Sequence, residues 1–377
     1  MGRRVLLAAS VLSLLAACGG GNDNKTGTST TTTSTAAGGV TLQVVSFGDS
    51  LSDVGTYASS TPVSGFTRGR YTTNPGEVWT QKIAEYYGGT LTPAAVGGYG
   101  TPLVASSTGL GYAQGGSRVQ NPIGESHNGT SATDYSMATT VPITTQVQNY
   151  LTAHGSFNSS QLVLINGGAN DIFIQATAIV SAIEQDITGG MTSDAAVAKE
   201  TLTTIVPAAV TLGQQIGSIL SAGATHVVVS NVPDIGQTPL ALATGTAGQA
   251  ALSAITQTFN AALKATLSQA GNLNKVIYID AYSWQDNLAS NYLSNGYTVS
   301  NTGTACNLVN MAATATANGL SDPTDYASSL YCTPSFLTLA GADQTYMYAD
   351  AVHPTTRTHA LFATYIEQQI AASGLGK

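Results

Sequence analysis

Leu42-Gln43-Val44-Val45-Ser46-Phe47-Gly48-Asp49-Ser50-Leu51-Ser52-Asp53 is the stretch on which the fold turns. Its first six residues form an apolar run that reads as a strand. Gly-Asp-Ser then breaks the pattern and a helix start follows. A strand with little polar alternation is buried on both faces, as in a parallel sheet covered by helices. Ligands meet such sheets at the carboxyl ends of the strands, which is where Ser50 falls. Backbone N–H groups and the dipole at a helix N-terminus favour developing negative charge there. Gly48 leaves room for a tight turn and for close approach of a substrate. Simple helix capping by Ser50 or Asp53 is the competing reading.

Working outward, residues 162–165, 226–230 and 276–279 repeat the pattern of the first strand, and 91–96 suggests a weaker one. Helical periodicity marks 77–87, 143–153, 195–222, 248–270 and 358–371. Strand–helix alternation of this kind predicts an α/β fold, a three-layer α/β/α domain with a mostly parallel central sheet, over 40–377. Residues 282–348 fit neither period and are expected to form an irregular insertion lining the substrate pocket.

Apolar residues make up 43% of the 377 residues, enough for a large core, whereas charged residues make up only 8%. Twelve Lys+Arg against 20 Asp+Glu leave a net charge of −8, which repels phosphate backbones and argues against a nucleic-acid partner. Residues 1–17 pair Arg3 and Arg4 with an apolar stretch too short to span a bilayer, the pattern of a secretory signal peptide. Leu15-Ala16-Ala17-Cys18 resembles the lipobox of bacterial lipoproteins. That resemblance implies cleavage before Cys18, acylation of Cys18 and a membrane anchor in the cell envelope; secretion without lipid is the alternative. Residues 18–39, rich in Gly, Thr and Ser, read as a flexible tether. In an oxidising compartment Cys306 and Cys332 are expected to form a disulfide, two buried thiols being the alternative.

Near the C-terminus, Asp350-Ala351-Val352-His353-Pro354 places a carboxylate one helical turn from an imidazole. An imidazole acting as base needs such a carboxylate to fix its tautomer. Gly167-Gly168-Ala169-Asn170-Asp171 follows the 162–165 strand, so the Asn170 amide also falls at a strand end, as an oxyanion donor or a cap. Gly116, in Gly111-Tyr112-Ala113-Gln114-Gly115-Gly116-Ser117, offers an N–H with no side chain to obstruct it, or is merely part of a turn. Gly109, Gly111 and Gly115 do not have the spacing of a dinucleotide fingerprint. His127, His154, His226 and His359 lack metal-ligand spacing, so neither a metal nor a cofactor is expected. Trp79 and Trp284 read as packing residues, Trp284 also as a possible border of the pocket, and Asp234 as a turn residue.

Taken together, these blocks resemble the GDSL lipases and esterases of the SGNH-hydrolase superfamily. Gly48-Asp49-Ser50-Leu51-Ser52-Asp53 carries the first block and Tyr112-Ala113-Gln114-Gly115-Gly116 the second. Gly168-Ala169-Asn170-Asp171 carries the third and Asp350-Ala351-Val352-His353-Pro354 the last. Gly69-Arg70-Tyr71 through Trp79, and Asn231 through Pro239, agree as well. Gly111 stands where the second block usually carries Asn. The resemblance implies hydrolysis of a small-molecule or lipid ester: Ser50 as nucleophile, His353 as base and Asp350 as its partner. Ser50, Gly116 and Asn170 would form the oxyanion hole. A phospholipase, an acyltransferase or a non-catalytic lipid- or glycan-binding lipoprotein are the alternatives.

Overall fold

The computed structural model describes residues 36–377; the proposed signal peptide, Cys18 and the tether as far as residue 35 lie outside the described residues. The end of the expected tether, 36–39, belongs to the folded domain. There the Gly38 N–H donates to the Tyr86 carbonyl at 2.9 Å, and the Gly38 carbonyl accepts from Lys377 N–H at 2.8 Å.

In chain order the strands are β1 (Gln43–Phe47), β2 (Ala95–Gly98), β3 (Thr101–Ala105), β4 (Gln161–Ile165), β5 (Val227–Ser230) and β6 (Ile277–Ile279). The helices begin with α1 (Trp79–Tyr86), α2 (Ile143–His154), α3 (Ala169–Thr188), α4 (Ser193–Thr204) and α5 (Val206–Ser221). They continue with α6 (Pro239–Ala243), α7 (Gly245–Gln269), α8 (Ala281–Ser290), α9 (Leu308–Ala317), α10 (Ala342–Thr345) and α11 (Thr356–Ala372).

β1, β4, β5 and β6 lie side by side in that order, each pair parallel. Successive side chains point to opposite faces of a strand, and here both faces are apolar. Val45, Phe47, Val163, Ile165, Val227 and Val229 pack with Ile143 of α2, Leu212 and Ile216 of α5, and Phe259 and Leu263 of α7. Their neighbours Val44, Leu162, Leu164 and Val228 pack with Trp79 and Ile83 of α1 and with Ile366 and Ile370 of α11. Each such side chain contributes about 1.5–3 kcal/mol on burial. The result is a three-layer α/β/α sandwich, as the strand–helix alternation predicts.

Several expectations need correction. The single helix at 195–222 is two, α4 and α5, joined at Ile205, with Pro207 in the first turn of α5 where no N–H is required. The weak strand at 91–96 does not enter the main sheet. Pro93 makes only an isolated bridge with Gly111, and the chain then forms the antiparallel β2–β3 hairpin. Proline lacks the N–H a central strand needs. Helix α3, whose apolar run follows a Gly-rich turn, adds to the helices expected from periodicity. Residues 282–348 are less irregular than expected, because α8 runs into them and α9 and α10 lie within them. This insertion shares a separate apolar cluster with the loop after β1, including Tyr57, Phe66, Met311 and Phe336. Cys306 and Cys332 are bonded within it, their Cα atoms 5.9 Å apart.

Candidate active site

β1 ends at Phe47, and residues 50–52 form one 3-10 turn whose cap is Asp49, its Oδ1 accepting the Leu51 N–H at 3.1 Å. Gly48 has φ +154°, and a Cβ there would run into the Asn166 side chain at the end of β4. Asn166 locks this corner: Nδ2 donates to Asp49 Oδ1 at 2.8 Å, and Oδ1 accepts from Ser52 Oγ at 2.6 Å. Gln146 of α2 clasps the Gly48 peptide from the other side, accepting its N–H at 2.9 Å and donating to its carbonyl at 2.8 Å. Ser50 is thus presented on a turn held from both neighbouring elements.

The loop before α11 brings the other two groups. Ser50 Oγ lies 2.9 Å from His353 Nε2. His353 Nδ1 lies 2.8 Å from Asp350 Oδ2 and 3.0 Å from Oδ1. With an ionised carboxylate as acceptor, Nδ1–H is the donor and Nε2 accepts the serine proton. The residues between Asp350 and His353 are not helical. Asp350 Oδ1 instead accepts the N–H groups of Val352 at 2.9 Å and His353 at 2.8 Å, closing a turn. Oδ2 also accepts the Ser329 N–H at 2.6 Å. Burial alone would raise the Asp350 carboxyl; the His353 ring beside it and these backbone donors outweigh burial and hold it well below the ordinary range. Tyr71 stacks obliquely on the imidazole, ring centroids 5.0 Å apart.

Gly116 has φ +80°, and a Cβ would collide with the Glu125 carbonyl, so only glycine fits without displacement. Neither the Ser50 nor the Gly116 N–H is used in a hydrogen bond among the described residues. Asn170, in the first turn of α3, donates one Nδ2 hydrogen to the Ser117 carbonyl at 2.9 Å. The second hydrogen on that nitrogen remains for a ligand. Ser50, Gly116, Asn170, Asp350 and His353 all line one cleft of about 840 Å³.

The loop carrying Gly116 is fastened by residues whose part was not read from sequence. Asp53 Oδ2 accepts the Gly115 N–H at 2.8 Å. Asp171 accepts from Arg118 Nε at 3.0 Å and Val119 N–H at 2.9 Å, a buried ion pair that joins this loop to α3. Asp53 reads from sequence as a candidate cap and Asp171 as the residue after Asn170; their partners here are distant along the chain, so no local pattern announces them. Ser329 acts through its backbone and leaves no side-chain signal at all. Asp234 is a turn residue as read, accepting the Gly236 N–H at 2.9 Å. Trp79 and Trp284 both wall a smaller cavity of about 50 Å³ adjoining the cleft. Among the described residues no three His, Cys, Asp or Glu side chains gather as metal ligands do.

A serine hydroxyl, an imidazole and a buried carboxylate in hydrogen-bonded series can move a proton off the hydroxyl as it attacks a carbon. The family model described as GDSL-like lipase/acylhydrolase matches residues 44–366, well over half of the chain. A search of curated proteins found no match.

Proposed function

The chain belongs to the GDSL-like lipase/acylhydrolase family, and from that premise we propose that it is a serine esterase or lipase working through an acyl-enzyme on Ser50. The observation that supports this reading most is the unbroken hydrogen-bond series Ser50–His353–Asp350 opening onto the cleft. Ser50 Oγ bonds to the ester carbonyl carbon as its proton passes to His353 Nε2. The carbonyl oxygen becomes an oxyanion facing the Ser50 and Gly116 N–H groups and the Asn170 amide. Loss of one such donor costs about 10²–10³ in kcat in comparable sites. The carbon–oxygen bond to the alcohol then breaks, and His353 returns the proton to the departing oxygen. Water repeats the sequence on the acyl-enzyme, releasing the acid and restoring Ser50. Asp350 stays ionised and balances the imidazolium throughout.

Ser50→Ala should reduce turnover of p-nitrophenyl esters to background while leaving circular dichroism unchanged. Turnover retained by this variant overturns the assignment. A fluorophosphonate should label Ser50 in the folded protein; refusal of the label supports a non-catalytic binding role. On the same reading residues 1–17 are a leader, Cys18 carries lipid, and the chain up to about residue 35 tethers the hydrolase domain to the envelope.

A further inference from the structure

Two unequal cavities meet at the turn that carries Ser50, sharing Asp49 and Leu51 in their walls, and Ser50 itself faces the larger. The smaller, about 50 Å³, is walled by Trp79, Trp284 and Phe362. The larger cleft continues along two helices. On α3 its wall is Asn170, Phe173 and Ala176; on α7 it is Gly248, Ala251, Leu252 and Ile255. Residues spaced i, i+3, i+4 and i+7 form one stripe of a helix, so the α7 wall is a single continuous face. Leu252 and Ile255 are buried at its floor, whereas Gly248 and Ala251 are half-buried. Small residues where a stripe would ordinarily carry large ones leave a trough rather than a packed contact.

Beyond Asn170 the two helix faces of this trough are apolar. The carboxyl and imidazole groups lining the cleft, Asp49, Glu125, Asp234, Asp350 and His353, come from loops, and the two helix faces contribute none. A sugar or a phosphate headgroup would lose its hydrogen bonds there without replacement; a hydrocarbon chain loses nothing. Asn170, the oxyanion donor, begins the α3 face, so a carbonyl held there sends its chain past Phe173 towards Ala176. His353, which must meet the departing alcohol, enters from the loop before α11 instead. Seven helical residues at 1.5 Å each span about 10 Å. A staggered chain advances ~1.25 Å per carbon, so this length takes about eight carbons.

We propose that the trough between α3 and α7 is the acyl subsite, and that the substrates are esters of unbranched medium-chain fatty acids. This inference rests on the acyl-enzyme reading of Ser50. Each methylene buried favours the transition state about fourfold. For the wild-type protein, kcat/KM on p-nitrophenyl esters should therefore climb from acetate to octanoate and level off or fall by dodecanoate. Ala251→Trp fills the trough from α7, and Ala176→Trp fills it from α3. Each should lower the octanoate-to-acetate ratio of kcat/KM at least tenfold, with folding checked by circular dichroism. A wild-type profile that is flat or falling from acetate to octanoate overturns the subsite even if Ser50 is acylated. So does an unchanged ratio in either folded variant. Absence of turnover on every ester overturns the enzyme reading and this inference with it.

Discussion

Burial holds His359 in its neutral form. The ring is 2% exposed, and its Nδ1 accepts the Trp79 N–H at 3.3 Å, which places the remaining proton on Nε2. That burial, with the nearby His353 adding to it, pushes the pKa down to about 3 from an unfolded value of 6.5. A depressed folded value means that the stabilising contribution is complete above about pH 6.5 and is lost as pH falls towards 3, at about 1.4 kcal/mol per pH unit. Asp350 is also depressed, but its contribution is lost only below the ordinary carboxyl range, near pH 4. Asp49, Asp53 and Asp171 are raised by burial and act in the opposite sense, their contribution declining as pH rises. A wild-type against His359→Gln comparison cancels these common terms. Measured by urea unfolding, the stability gap between the two should change in the variant's favour by on the order of 2 kcal/mol between pH 6.5 and 4.5. A gap independent of pH would show that the ring does not titrate as described.

Among the elements, the segment between Cys306 and Cys332 connects fold to chemistry. Its last 3-10 turn, Ser329–Tyr331, is capped by the Ser328 side chain and ends at Cys332, and the Ser329 N–H reaches Asp350. The bonded cysteines are 26 residues apart, for which loop-closure entropy gives about 3–4 kcal/mol. The double variant Cys306→Ser, Cys332→Ser should unfold at a lower temperature. It should also lose kcat more than it raises KM, because a loosened Ser329 disturbs the carboxylate rather than substrate binding. Calorimetry with steady-state kinetics checks both; a variant with lowered stability but unaltered kcat would confine the disulfide to a purely structural part. Element boundaries show where local patterning suffices. β1, β4, β5 and β6 were legible because each is a short apolar run with few polar interruptions. The break between α4 and α5 was obscured because Pro207 stands in a first turn, where it is tolerated. The strand expected around Val96 is diverted because Gly97, Gly98 and Gly100 take positive φ and turn the chain back into the β2–β3 hairpin.

For the molecule as a whole, the low charge and the residues before the domain bear on where it works. Cys18→Ala should shift esterase activity from the membrane to the soluble fraction, read by detergent-phase partition. An unchanged distribution sinks the anchor proposal. Local runs of the chain carried the sheet, its two helical layers, a serine and an asparagine at strand ends and a histidine three residues after a carboxylate, because side-chain period and turn chemistry are properties of neighbours. The meeting of Ser50 with His353, 303 residues later, the Ser329 donor to Asp350, the Arg118–Asp171 pair and the trough between α3 and α7 were decided in three dimensions. Each joins groups remote along the chain, and an apolar helical stripe looks the same whether it packs against a sheet or lines a cleft. Only the packing of the other elements determines which of the two it does.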